Sequence, residues 1–216
     1  MSRVPVINEP QIERDVVVLG ASAGGVHALI ELFEALPADL PAAVAVVLHR
    51  SPVHEGVLDR VLGRRSPLPV IEPELGDRFE PGHIYLAPRD LHLTVDGRRL
   101  WLTRGPKEHF TRPAIDTLFV SAAKAFGPRV VGVVLSGTGD DGARGLIAVT
   151  AAGGLSLVQN PREAQYPAMP RNAVAHDRVN AALTIREMAA ALPQLARGAV
   201  FSPPEFLAAR QVSRAR

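Results

Sequence analysis

Short runs of β-branched residues alternate along the chain with stretches whose apolar positions recur every three or four residues. The first run, Val16-Val17-Val18-Leu19, is ended by Gly20 and is too short for a helix, so it predicts a buried strand. Beyond the glycine turn, Val26, Leu29, Ile30, Leu32, Phe33 and Leu36 recur at helical spacing until Pro37 stops them. Val44–Leu48 predicts a second strand. Strand, turn, helix, strand is the pattern of a parallel βαβ unit.

The alternation continues to the end of the chain. Val57, Leu58, Val61 and Leu62 predict a short helix, and Ile84-Tyr85-Leu86 a strand stopped by Pro88. Leu91–Val95 and Leu100–Leu102 predict a β-hairpin, with Asp96-Gly97 supplying the positive φ angles of a type I′ turn. Pro113 opens a helix to about Phe126, with Ile115, Leu118, Phe119, Ala122 and Ala123 on one face. Val130–Leu135 predicts a further strand, residues 143–151 a helix, and Leu155–Val158 another strand. Pro161, Pro167 and Pro170 predict an irregular loop over 160–171, followed by a helical turn at Asn172–His176 and a short strand at Ala181–Leu183. Thr184 and Glu187 have capping-box spacing at the head of a last helix over 185–196. The predicted fold class is α/β, a doubly wound, mostly parallel sheet with helices on both faces and one antiparallel hairpin, Rossmann-like in three layers.

Composition narrows the function. The 216 residues predict one domain over 15–197, with an N-terminal arm over 1–14 and a flexible C-terminal tail over 198–216. Lys+Arg 24 against Asp+Glu 22 leaves a net charge of +2, without the basic excess expected of a nucleic-acid binder. Cys 0 excludes a disulfide framework, a thiolate metal site and a cysteine nucleophile. No apolar run approaches the roughly 18 residues of a membrane span, and residues 1–14 lack the apolar core of a secretory signal, so a cytoplasmic protein is expected. None of the seven histidines has the H-E-x-x-H spacing of a metal site, and neither a metal nor another cofactor is expected.

In parallel sheets the ligand site lies beyond the carboxyl ends of the strands. Three predicted strand ends carry Gly20-Ala21-Ser22-Ala23-Gly24-Gly25, His49-Arg50 and Ser136-Gly137-Thr138-Gly139-Asp140-Asp141-Gly142. An alcohol, an imidazole and a carboxylate at one sheet edge form the set that nucleophilic acyl transfer needs. Gly20-x-Ser22-x-Gly24 matches a nucleophile elbow, and the amides of Ala23, Gly24 and Gly25 at the helix start would stabilise an oxyanion. Alternatively, Ser22 caps the helix or binds phosphate there. Only 19 residues precede Gly20, and the order Ser, His, Asp is not that of the α/β-hydrolase fold. Either Asp140 or Asp141 suits the task of orienting His49, and helix capping is the competing role for both. A second reading takes the glycine turn as a degenerate dinucleotide fingerprint, with Arg50 placed to meet a 2′-phosphate.

The segments Gly20–Gly25, Val47-Leu48-His49-Arg50, Ile84–Pro88, Arg112–Phe119, Leu135–Ala143 and Met169-Pro170-Arg171 together resemble the catalytic domain of the chemotaxis protein-glutamate methylesterases (CheB-type) over roughly residues 15–197. The resemblance implies hydrolysis of γ-glutamyl methyl esters on chemoreceptors, and often deamidation of receptor glutamines. It assigns Ser22 as nucleophile, His49 as base and Asp141 as acid. The family's usual residues differ at Ala23 (threonine there), at Leu48 and Arg50 (glutamine and methionine) and at Thr138 (methionine), which admits a catalytically weakened homologue acting as a scaffold. Members commonly carry an N-terminal receiver domain. With 14 residues before the first strand none is expected here, which makes a separate receiver protein a candidate regulator. Methylated chemoreceptor helices are the expected partner, with Arg50, Arg64, Arg65 and Arg89 near the strand ends as candidates to meet their acidic residues.

Overall fold

The computed structural model describes residues 11–50, 57–176 and 179–202. Seven strands, β1 (Val16–Ala21), β2 (Ala43–Leu48), β3 (Val70–Ile71), β4 (Ile84–Leu86), β7 (Val130–Val134), β8 (Leu155–Gln159) and β9 (Ala181–Leu183), form one sheet in the order β3-β4-β2-β1-β7-β8-β9. Every pairing in it is parallel. The chain runs outward from β1 through β2 to the edge strand β3, inserts β4 between β3 and β2, then crosses to the other flank of β1 and builds outward through β7 to β9. The switch point therefore lies at β1, where an open α/β sheet leaves a crevice beyond its carboxyl edge.

Both faces of the sheet are apolar, which is why its strands read as unbroken β-branched runs. On one face Val17, Leu19, Val44, Val46, Val131 and Leu157 pack against α1 (Gly25–Ala35) and α6 (Ile185–Ala196), with Leu62 of α2 (Leu58–Gly63). On the other, Val16, Val18, Ala45, Val47 and Val134 meet α3 (Ile115–Phe126), α4 (Ala143–Ala151) and α5 (Ala168–His176). The capping box at Thr184 and Glu187 heads α6 as expected.

Three local expectations need correction. In the hairpin of β5 (His92–Asp96) and β6 (Arg99–Thr103), Asp96 pairs with Arg99, so the two-residue loop is Gly97-Arg98 rather than Asp96-Gly97. Gly97 has φ 57° while Arg98 is not left-handed, the sign pattern of a type II′ turn with glycine at its first central position. The hairpin is a separate two-stranded sheet lying on α3 through Leu93, Val95 and Leu100. The stretch expected as loop to residue 171 instead enters α5 at Ala168. Pro170 is its third residue, where the backbone N–H would have no intrahelical acceptor, so the ring costs no hydrogen bond. The helix expected from Pro113 begins at Ile115.

At the chain ends, the Arg14 amide donates to the Leu195 carbonyl at 2.9 Å and Phe201 packs against the core. The expected arm and tail otherwise fall largely at residues 1–10 and 203–216, outside the described residues. Among the described residues no helix is long and apolar enough to cross a membrane.

Candidate active site

The parallel register sets Ala21 opposite Leu48, and the His49 amide extends the ladder by donating to the Ala21 carbonyl at 3.0 Å. Ser22 and His49 thus leave the sheet side by side from neighbouring strands. On the other flank of β1, the Ser22 amide donates to the Ser136 carbonyl at 3.0 Å, just beyond β7. The same short stretch of sheet edge therefore gathers all three strand-end segments.

The carboxylate comes from the third. His49 Nε2 lies 2.9 Å from Asp141 Oδ2, with both side chains largely shielded from solvent. The ambiguity between the two aspartates is resolved by burial: Asp141 is buried, whereas the Asp140 side chain is 63% exposed and lies 3.2 Å from His109 Nδ1. Asp141 Oδ2 also accepts from the Ile115 amide at 2.8 Å, and Oδ1 from the Asp116 amide at 2.9 Å. The Thr111 hydroxyl donates to the Glu108 carbonyl at 2.9 Å and lies 3.5 Å from Oδ2. Burial alone would raise the pKa of Asp141, but the bonds from His49 and from the Asp116 and Ile115 amides outweigh it and hold the group below its ordinary value.

The tautomer follows. An ionised Asp141 accepts only, so Nε2 of a neutral His49 carries the proton and Nδ1 keeps its lone pair. The imidazole is thereby prepared to take a proton on the ring nitrogen that Asp141 does not hold.

The glycine turn after β1 is built for close approach. Gly24 is left-handed at φ 71°, and no side chain caps α1, so Ser22 does not serve as its cap. The Gly25 amide donates to the Ser22 carbonyl at 2.8 Å and closes the turn, so of the three amides expected to face an oxyanion, that of Gly25 is spent internally. Those of Ala23 and Gly24 have no partner among the described residues. Gly137 runs against the serine: a Cβ placed on it would lie 2.9 Å from Ser22 Cβ and 2.1 Å from Met169 Sδ. The Ser136 hydroxyl donates to the Ala23 carbonyl at 2.8 Å and accepts from the Tyr166 amide at 3.0 Å, binding the two loops together.

Asp116, absent from the sequence-derived site, completes the frame. Fully buried, it accepts from the Gly142 and Gly145 amides at 3.0 and 2.7 Å and from Arg144 Nε at 3.0 Å, and lies 3.0 Å from His109 Nε2. Two helix starts therefore exchange carboxylates: Asp141 receives the first amides of α3, and Asp116 those of α4. The sequence did carry a signal, since Asp116 falls three residues before Phe119 and seven before Ala123 on an otherwise apolar face. His109, Asp116 and Asp141 offer ligand atoms within 4.8 Å of one another, yet N–H donors already engage the oxygens of both carboxylates. This donor set suits hydrogen bonding rather than a cation.

The arginines expected to face a partner are differently disposed. Arg50 is largely buried; its Nη2 pairs with Glu72 and donates to the Ala87 carbonyl at 3.0 Å, while Nε and Nη1 have no partner among the described residues. Arg65 pairs with Glu34. Arg64 is exposed, and Arg89 is half-buried with one guanidinium nitrogen lacking a partner among the described residues.

Comparison with known proteins agrees with this geometry. Residues 17–192 match the family model described as CheB methylesterase. A Pyrococcus horikoshii protein named protein-glutamate methylesterase/protein-glutamine glutaminase is 36% identical over 165 residues, covering 74% of this chain and 45% of its own. A Methanosarcina mazei protein named for the same two activities is 33% identical over 199 residues, 88% of this chain and 54% of its own. The chain thus spans about half the length of these curated relatives. The crystal structure of the Thermotoga maritima CheB methylesterase catalytic domain superposes with a TM-score of 0.80 at 29% identity, covering 84% of this chain and 98% of that one. A family model spanning most of the chain, and a solved catalytic domain matched over nearly its whole length, lead to one assignment: the chain belongs to the CheB methylesterase family.

Proposed function

We propose that this chain is a cytoplasmic serine hydrolase that removes methyl groups from glutamate γ-methyl esters on chemoreceptor helices and also deamidates receptor glutamines, as the names of its relatives describe for those proteins. The observation that carries the reading is the 2.9 Å contact of His49 Nε2 with a buried Asp141, at the strand end next to Ser22. That contact leaves Nδ1 as the basic nitrogen on the strand end adjoining the serine.

Ser22 Oγ attacks the ester carbonyl carbon while its proton passes to His49 Nδ1. The resulting imidazolium is stabilised by Asp141, which stays ionised. The carbonyl oxygen takes up the negative charge and is met by the free amides of Ala23 and Gly24, aided by the start of α1. Collapse breaks the bond to the methoxy oxygen, which leaves as methanol with the proton from His49. Water then attacks the acyl-serine ester, giving its proton to His49. The second collapse returns that proton to Ser22 and frees a glutamate, so the receptor gains one negative charge. With a glutamine side chain the same sequence releases ammonia.

Ser22→Ala should lower methanol release from methylated receptor fragments by several orders of magnitude, because members of such a unit act together. Circular dichroism and the melting temperature should stay near those of the parent. Methanol release at the parent's rate by folded Ser22→Ala would overturn the mechanism.

A further inference from the structure

Between β6 and α3 the chain turns sharply at Glu108–Thr111. The Glu108 amide donates to the Thr111 carbonyl at 3.1 Å and the Thr111 amide to the Glu108 carbonyl at 2.8 Å. Its two central residues, His109 and Phe110, are both left-handed, with φ 48° and 62°. Non-glycine residues enter that region seldom, asparagine, aspartate and histidine more readily than others, so the surroundings must hold Phe110 in particular there. For three of the four turn residues the restraint is visible. Glu108 pairs with Arg144, His109 reaches Asp116 and Asp140, and the Thr111 hydroxyl donates to the Glu108 carbonyl at 2.9 Å while lying 3.5 Å from Asp141 Oδ2.

Phe110 has no such tie. It is 96% exposed, while Phe33, Phe79 and Phe119 are buried and Phe126 and Phe201 partly so. The turn thus holds a large apolar ring out in water, one residue from a side chain that touches the carboxylate partnering His49. Isolated exposed apolar residues are common, but this one is presented by a strained turn fastened to the site itself. A second half-exposed ring, Tyr166, is anchored to the loop beside Ser22 through its amide on Ser136 Oγ and its carbonyl on the Gly137 amide.

We infer that Phe110 is a docking residue for the substrate helix, its ring lying on apolar side chains one turn from the esterified glutamate. The proposal rests on the hydrolase reading above. An esterified glutamate is uncharged and ends in a methyl group, so the helix face around it offers no carboxylate there for an arginine. Residues three and four positions away share that face, and the exposed ring, carried by a turn whose His109 is tied to Asp116 and Asp140, would meet them as the substrate helix docks. Phe110 then acts on recognition of the macromolecule and not on the bond-breaking steps.

The test compares Phe110→Ala and Phe110→Gly with the parent on two substrates, methylated receptor fragment and p-nitrophenyl acetate. Glycine keeps the left-handed turn and removes only the ring. For both variants kcat/KM on the receptor should fall about thirtyfold, the size of one interface hot spot, chiefly through KM. Turnover of the small ester should stay within about twofold of the parent. Unchanged receptor kinetics would overturn the proposal, as would equal losses on both substrates. A loss in Phe110→Ala that is absent in Phe110→Gly assigns the effect to the turn and also overturns it. So does a change confined to self-association in sedimentation, which would make a second copy of the chain the occupant. If the parent hydrolyses neither substrate, the hydrolase reading itself fails, an outcome distinct from all of these, and the docking role falls with it.

Discussion

Asp141→Asn isolates what the buried carboxylate contributes. The wild-type group receives three N–H donors, from His49, Ile115 and Asp116, at 2.9, 2.8 and 2.9 Å. An amide of the same shape has one oxygen to accept with and an NH2 that only donates. If its NH2 occupies the Oδ1 position, it opposes the Asp116 amide. If it occupies the Oδ2 position, it opposes the Ile115 amide and drives the proton of His49 from Nε2 to Nδ1, so that Nδ1 is no longer basic. Either way a buried backbone N–H loses its acceptor, at about 1–3 kcal/mol. In a domain of this size that lowers the melting temperature by about 2–4 °C per kcal/mol. The catalytic loss is larger, because the charge that stabilises imidazolium disappears in either orientation, and in the second the favoured tautomer goes with it; the corresponding change in a serine protease triad costs about 10⁴ in kcat. A drop of about 10³–10⁴ in kcat at neutral pH is expected, read from methanol release or from p-nitrophenyl acetate turnover, with the fold checked by thermal melting. A folded Asp141→Asn protein keeping kcat within about tenfold of the parent would refute the role given to the carboxylate.

Two further outcomes follow from the same geometry. Gly137→Ala places a methyl group 2.1 Å from Met169 Sδ and 2.9 Å from Ser22 Cβ, so one of them must move. Steady-state kinetics should show a fall in kcat, and melting a loss of about 1–3 kcal/mol from overpacking. The acid limb of stability should carry the signature of Asp141. Its folded pKa is lowered, so its contribution is fully present above the unfolded value of about 3.9 and is lost as pH falls through the lower folded value. The melting-temperature gap between the parent and Asp141→Asn should therefore be widest near neutrality and narrow steadily below about pH 4. A gap independent of pH would contradict the assignment.

The layers of the fold were legible because the central strands β1, β2, β4 and β7 are buried on both faces, and a doubly buried strand must be a continuous apolar run. The positions of Ser22 and His49 came with it, since both directly follow such runs. What local pattern could not separate was Asp140 from Asp141. Their directions are set by the left-handed glycines on either side, Gly139 at φ 87° and Gly142 at φ 99°, and by amides of α3 some 25 residues earlier in the chain. Asp116 was passed over for a related reason, because periodicity ranks residues by apolarity and a buried carboxylate enters that pattern only as an interruption. The hairpin turn slipped by one position because Asp-Gly fits the first two residues of a loop as readily as the last paired residue and the first loop residue, and only the cross-strand partner of Asp96 distinguishes them.

The exchange of carboxylates between the starts of α3 and α4 makes these two helices a single unit for local opening. The amides of Ile115, Asp116, Gly142 and Gly145 are protected only by side chains on the opposite helix, so neither first turn can open to solvent without exposing the other. In hydrogen–deuterium exchange the four should trade their protons at one common rate, and each such opening also withdraws Asp141 from His49. Whatever loosens either helix start thus breaks the contact of His49 with Asp141 in the same event.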